Sequence, residues 1–438
     1  MPQDQKPDYR LIFRAMKYRN YRLFFGGQCV SLIGTWMQNV AMSWMVYRLT
    51  GSALLLGVTG FASQIPSVLL APFTGLAADR LDRRRVIIIT QTLAMLQALV
   101  LGLLGLYGSP QVWQIIALAA FLGAVNAFDM PARQAFVVEM VEERGDLSNA
   151  IALNSSMFNS ARLIGPSIAG VCIAAFGESI CFLLNAASYL AVIAALLAMT
   201  PSRRVVPGHK GGAAAGFLAG VAYVAGYPPI RYIILMLAMA SLLGMPYAVL
   251  MPAYVKDILH GGPRAMGFIM AASGAGALAG ALRLAARRHP AGLERGIPLL
   301  AALFGLGLLG LSFSQFFAIS ALCLAIASFG MVSVMASSNT VIQTLVDDDK
   351  RGRVMAIYSV AFMGMAPFGS LLAGWTAHRI GVQHTMTLNG LFVLAAAVVF
   401  STRMKIITAH AAPAYSRMGL GTEAAQELGE AERAETPL

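Results

Sequence analysis

Polar side chains set at helical spacing inside long apolar runs are the residues of this chain best placed to do chemistry. Gln28, Ser31, Thr35, Gln38 and Asn39 recur every three or four residues within 21–49, which aligns them as one stripe along a helix. Ser155, Asn159 and Arg162 repeat the arrangement within 149–176. Such groups offer recognition by hydrogen bonding and charge, and since polar groups facing lipid are costly, both sets are expected to face a central cavity. Arg162 stands out as a charge well inside an apolar run, where it costs about 2.5–3.5 kcal/mol unless solvated or paired. A tie to backbone carbonyls or to a neighbour is the other reading of it. Asn126 and Asp129, and Ser338, Asn339 and Gln343, are weaker sets, because hydrogen bonds between helices are the commoner use of such residues. Tyr247, beside Pro246, is placed to line the outer half of a cavity. Among the 24 methionines, Met37, Met42, Met45, Met331, Met335, Met363 and Met365 read either as an adaptable lining or, more commonly, as packing.

Other chemistries are less well supported. Cys29, Cys172, Cys181 and Cys323 fall in apolar runs without close pairing, so neither a disulfide framework nor a metal site is expected. The best case for an enzyme is Asp347-Asp348-Asp349, since membrane prenyl-transfer enzymes hold magnesium and diphosphate with Asp-rich clusters. Here the acids are followed by Lys350-Arg351, lack a second cluster and are echoed by Glu142-Glu143. A repeated loop is the simpler account, with no enzyme activity and no cofactor. GLGLLG, from Gly305, has the spelling of a dinucleotide site but lies inside an apolar run with no strand before it.

The elements that must position these residues follow from composition. The chain has 438 residues, 58% of them hydrophobic and 12% charged, with a mean hydropathy of +0.68, too apolar to fold around one water-soluble core. A bilayer-crossing helix needs about 20 mostly apolar residues. Twelve runs qualify, at 21–49, 53–78, 84–107, 111–131, 149–176, 179–199, 231–254, 266–286, 297–314, 316–345, 353–380 and 384–402. None alternates as a membrane strand would, so an all-α membrane protein is expected. The polar, basic N-terminus offers no cleavable signal. GFLAGVAYVAG, from Gly216, is too short to cross and reads as a helix at the inner surface.

Basic residues set the orientation. Of 32 Lys and Arg, four fall in outer loops, one, Arg162, lies within a span, and the remaining 27 lie on inner segments if both termini are cytoplasmic. The net charge of +12 is then mostly an orientation signal, with attraction to the anionic lipid bilayer as a by-product and no nucleic acid partner.

The chain also repeats itself. GSALLLGVTGFAS, from Gly51, aligns with GGPRAMGFIMAAS, from Gly261, and GPSIAGVCIAAFG, from Gly165, aligns with GSLLAGWTAHRIG, from Gly369, which sets Gly177 on Gly381. Two six-helix halves in parallel orientation are expected, residues 1–200 and 231–402, joined by a cytoplasmic linker at 201–230 and followed by a polar tail at 403–438, either disordered or a loose surface helix. Parallel halves are an architecture of secondary transporters, which rock one half against the other around a central site.

Two motifs bear on how such halves would move. Gly75-x-x-x-Asp79-Arg80-x-x-Arg83-Arg84, between the second and third runs, sets an acid among arginines at a helix end, as in a latch that pairs when the halves close; a topology determinant is the plainer reading. Asp129 is expected near the inner end of the fourth run, before Pro131, pairing with this arginine cluster, and Arg133 is expected to pair with Asp79. No acid is expected at mid-membrane. In the fifth run Gly165-Pro166-x-x-Ala169-Gly170 combines a helix breaker with small residues, giving a kinked, closely packed element.

The first motif resembles the loop signature of the major facilitator superfamily, departing from it at Asp82, where a second glycine is usual; the second is similar to the Gly-Pro motif of its antiporters. GQCVSLIGTWMQNVAMSWMVYRLTGS, NAFDMPARQAFVVEMV and RGRVMAIYS resemble the bacterial branch that includes the enterobactin exporter and macrolide-efflux relatives, over most of residues 10–402. The resemblance implies the major facilitator fold, a bacterial inner-membrane location and export of a small molecule, whether siderophore, drug or amphipathic metabolite, in exchange for protons. Import of a nutrient, or movement of a lysolipid, is the alternative the same fold permits. A monomer is expected.

Overall fold

The computed structural model describes residues 9–108, 110–200, 213–287 and 291–417. Among them, all regular structure is helical. A short 3₁₀ segment, Tyr9–Lys17, leads into α1 (Arg19–Thr50), α2 (Ala53–Arg80), α3 (Arg83–Tyr107), α4 (Val112–Met140), α5 (Arg144–Phe176) and α6 (Glu178–Ala198). After α7 (Ala213–Gly226), α8 runs from Pro228–Met239 through a π-turn at Ala240–Gly244 into Tyr247–Ala253 and Tyr254–Ile258. Next come α9 (Pro263–Ala285), α10 (Leu293–Phe313) and α11 (Phe317–Leu345). The helix α12 joins Asp348–Ser359 to Met365–Ile380 through a second π-turn, Val360–Gly364, and α13 (Val382–Thr402) and α14 (Met404–Arg417) complete the chain.

Among the described residues, eleven helices are long and apolar enough to cross a membrane. With 32 residues α1 has the length, but Gln28, Ser31, Thr35, Gln38 and Asn39 dilute its apolar content and it is not one of them.

Two expectations from sequence are corrected. Pro131 does not end α4, which continues to Met140; a proline costs one rung of the helix ladder, a loss membrane helices tolerate. Asp129 therefore sits about three turns before the helix end, and Arg133 lies within the helix rather than in the loop after it. Asp129 and Arg133 thus lie within a long helix, as Arg162 does. The second correction concerns 403–417, which is neither disordered nor loose. Ile407, Ala411 and Tyr415 of α14 are buried against the ends of α8, α10 and α11. The Tyr415 hydroxyl donates to Glu294 Oε2 at 2.8 Å, and burial, then the Glu294 charge, push its pKa up.

The chain divides into two compact units, one of Met1–Lys210 with Val255–Gly274, the other of Gly211–Tyr254 with Ala275–Leu438. In unit 1, α1 packs on α6 and α5, α2 on α4, and α3 on α6 and α4. At Gly165 a Cβ would come within 2.6 Å of Trp36 Cβ, so the Gly-Pro motif brings α5 hard against α1. Gly170 of the same motif lies equally close to Gly267 and Pro263. The chain reverses between α5 and α6 on the single residue Gly177 (φ +82), and in unit 2 between α12 and α13 on Gly381 (φ +86). These are the two glycines the sequence repeat matched, and the left-handed backbone there excludes most side chains. In unit 2, α10 packs between α11 and α13. The two π-turns meet, and Ser241 donates to the carbonyl of Phe362.

Candidate functional site

The most elaborate polar network of unit 1 is built around Asp129. Its carboxylate is 2% exposed, and its Oδ1 accepts from Thr90 Oγ1 at 2.8 Å and Gln91 Nε2 at 2.9 Å, both on α3. Its Oδ2 pairs with Arg133 one turn further along α4. Arg133 in turn donates to Gln28 Oε1 on α1 at 3.2 Å. Asp129 is clasped by its own helix neighbour, and Arg83 and Arg84 of the cluster after α2 are engaged elsewhere, with Glu139 and with the carbonyls of Leu196 and Leu197.

A small cavity of about 40 Å³ adjoins this network, lined by Gln28, Ser31, Thr35, Gln91, Asn126, Asp129, Arg133 and Tyr189 among others. That volume holds a water or two, not a drug-sized molecule. Three buried polar atoms in its lining lack a hydrogen-bond partner: Gln28 Nε2, Gln91 Oε1 and Arg133 Nε. Orphaned groups of this kind are rare and cost about 1–3 kcal/mol each. All three face one cavity with room for a water.

Gln38 belongs elsewhere. It is 1% exposed; its Nε2 donates to Gln97 Oε1 at 2.9 Å and its Oε1 accepts from Asn185 Nδ2 at 2.8 Å. This amide chain ties α1 to α3 and α6. Gln97 and Asn185, like Thr90, Gln91 and Tyr189, were passed over in the sequence, although each is a polar residue interrupting an apolar run.

A second feature of unit 1 is exposed. Ser155, Phe158, Asn159 and Arg162 share one face of α5, and Trp36 adjoins it from α1. The Arg162 guanidinium stacks over the Trp36 ring, 5.7 Å from its centroid, and Phe158 meets Trp36 edge-on at 5.7 Å. Asn159 donates to the Ser155 carbonyl at 2.8 Å. Asn39 and Ser155 are exposed, and Asn159 and Arg162 are half-buried.

The remaining expected site residues are scattered. Tyr247 is 1% exposed inside unit 2, with its hydroxyl 3.1 Å from Ser328 Oγ and its ring against Phe304. Ser338 is buried there with an unpartnered hydroxyl, and half-buried Asn339 accepts from Gln343 at 2.9 Å. For the latch, the backbone of residues 75–80 closes α2, but the side chains of Asp79 and Arg80, and with them the expected Asp79–Arg133 pair and the setting of Gly75, lie outside the described residues. Arg83 pairs with Glu139 of α4 at 2.7 Å. Arg84 donates to the terminal carbonyls of α6, Leu196 at 2.8 Å and Leu197 at 3.1 Å. Asp82, the departure from the family pattern, is the N-cap of α3 and accepts from Arg85 N at 3.2 Å, a role glycine cannot fill. Asp347 is the N-cap residue of α12 and pairs with Lys350 at 3.0 Å.

Comparison with known proteins gives a consistent result. The model of a family described as transmembrane secretion effector matches residues 13–428. The chain is 25% identical over 380 residues to the staphyloferrin A transporter of Staphylococcus aureus, covering 86% of this chain and 95% of that one. It is 27% identical over 381 residues to the multidrug efflux pump Tap of Mycolicibacterium fortuitum, covering 84% and 91%. Among solved structures, a bacterial homolog of the human lysosomal transporter Spinster, in an inward-facing and unoccupied conformation, superposes with a TM-score of 0.70 at 13% identity, over 90% of this chain and 98% of that one.

Proposed function

Because this chain belongs to the transmembrane secretion effectors of the major facilitator superfamily, a family of transporters and not of enzymes, we propose that it exports a small molecule across the plasma membrane in exchange for protons. The arrangement we propose has twelve crossings in two parallel six-helix halves, residues 1–200 and 231–402. The linker 201–230, the tail 403–438 and both termini are cytoplasmic, and the protein acts as a monomer. The basic residues of the inner segments support that orientation, and efflux is favoured by the named functions of the multidrug and macrolide relatives.

One observation carries the coupling: a carboxylate about three turns inside α4, bonded to Thr90, Gln91 and Arg133 beside unpaired polar atoms. An ionised Asp129 holds Arg133. Protonation removes the charge that holds it and frees the guanidinium, while the unpaired Gln91 Oε1 supplies an acceptor for the new hydroxyl after an amide turn. The acid thus has two hydrogen-bonded states, which alternating access requires of a coupling group.

The test is transport in vesicles holding the purified protein under an imposed pH gradient, screened over siderophores, dyes and antibiotics. Gradient-driven movement that disappears in Asp129→Asn is the expected result. Movement that ignores the gradient removes proton exchange, and retained response in Asp129→Asn removes this residue from it. Direction is tested in cells. Raised retention of a secreted compound on deletion supports export, whereas lost growth on one external solute supports import.

A further inference from the structure

Arg162 differs from four other arginines of unit 1. Arg48 has Glu178, Arg83 has Glu139, Arg133 has Asp129, and Arg84 has two carbonyls. Arg162 lies near the middle of α5, and among the described residues no carboxylate pairs with it; what it has is the face of Trp36. A guanidinium carries five N–H donors and stays charged. Stacked on an indole it gains a fraction of what a carboxylate would supply. Lipid head groups lie too far from the middle of a 33-residue helix to provide the missing anion. With the exposed Ser155 and the half-buried Asn159 on the same face of α5, Arg162 makes a face that hydrocarbon does not tolerate, so this face borders water.

We infer that Arg162, Trp36 and Phe158 form a recognition site for an organic anion with a flat unsaturated ring, the anionic group pairing with Arg162 and the ring lying against the aromatic edge of the site. The inference rests on the transporter reading and supplies its substrate class. A flat ring has two aromatic side chains to meet, Trp36 and the exposed Phe158, and an anion meets a planar fork of donors, which suits carboxylate two bonds at a time. Asn159, one turn away on α5, adds a neutral polar group beside the guanidinium, which tunes selectivity without opposing the charge.

The test uses three probes of one shape, 1-naphthoate, its uncharged amide and 1-naphthylmethylammonium, titrated by calorimetry into the full-length protein in nanodiscs. Wild type is expected to bind the anion about tenfold more tightly than the amide, the scale of one charge-assisted pair. Arg162→Gln is expected to erase that preference, Arg162→Lys to retain part of it, and Arg162→Glu to turn it toward the ammonium. Trp36→Ala is expected to weaken all three probes alike while leaving the charge preference. Absence of an anion preference in wild type, or its survival in Arg162→Gln, overturns the inference. So does an Arg162→Gln protein that melts earlier but binds all three probes as wild type does, which would make Arg162 a brace. Vesicle transport separates the two levels. If no dye, siderophore or antibiotic moves, the transporter reading falls whatever naphthoate does. If dyes move while naphthoate binds no better than its amide, only the substrate class falls.

Discussion

The two units bury different kinds of polarity along their spans. Beside its hydroxyls, unit 1 buries the amides Gln28, Gln38, Gln91, Gln97 and Asn185 and the carboxylates of Asp129, Asp146 and Glu178, whereas unit 2 buries mainly hydroxyls, Ser241, Ser320, Ser328, Ser333, Ser337 and Ser338 with Tyr247 and Tyr254 among them, and one amide and one carboxylate, Asn389 and Glu294. A serine hydroxyl can turn to a carbonyl of its own helix and carries no charge, although those of Ser333, Ser337 and Ser338 have no partner. An amide or a carboxylate must find partners on other helices, and an acid also changes charge. On the proposed function, coupling chemistry is expected in unit 1 and shape in unit 2, and each variant below presses on that division.

The largest effect is expected at Asp129. Asp129→Ala leaves Arg133 without its partner, which for a buried pair costs about 3–5 kcal/mol, measured by denaturant unfolding in micelles, and gradient-driven transport falls to background. Adding Arg133→Met should return most of the stability and none of the coupling; returned coupling would dissolve the contrast between the units. Next comes Gln38→Leu, which strands the Gln97 and Asn185 amides and costs about 1–3 kcal/mol by the same unfolding measurement. Its transport should keep the pH response of wild type, marking this amide chain as a fastening. In unit 2, Tyr254→Phe removes a hydroxyl 2.8 Å from Leu311 O, Ser314 O and Ser320 Oγ. About 1 kcal/mol is expected with unchanged transport, and a loss of coupling there would move chemistry into unit 2. The smallest effect is expected at Lys17→Met. Hydrogen bonds to Asp146 and Glu143 raise the pKa of that ammonium above its ordinary value. Its contribution is therefore complete below the ordinary lysine range and lost only as pH rises through the raised value, so Lys17→Met should lower melting only slightly, because the ammonium is exposed, and by the same amount at every pH near neutrality.

Much of the fold was legible because an apolar run has few ways to satisfy its backbone in lipid. The helices stand where the runs predicted them, and Gly177 and Gly381, paired by the repeat, make the same one-residue turn. What failed was punctuation. Pro131 read as a stop, which hid the depth of Asp129 and placed Arg133 in a loop. The polar stripe of α1 was visible by spacing, but spacing does not say which members turn inward to neighbours. Gln38 does, Gln28, Ser31 and Thr35 border the cavity, and Asn39 is exposed. Thr90, Gln91 and Trp36 were missed because a hydrogen bond or a stacked ring between helices depends on packing, which a single chain pattern does not encode. Composition hid α14 as well: its apolar contacts come once per turn at Ile407, Ala411 and Tyr415, too sparse to stand out from the polar tail.

The seat of α14 bears on how this protein can be handled. A fluorescent reporter or affinity handle spliced directly after Thr402 would strip three apolar plugs from unit 2 and take from Glu294, 3% exposed, the hydroxyl that meets its charge. Behaviour measured on such a fusion would belong to an injured molecule. Grafted beyond Arg417, the same handle leaves that seam closed.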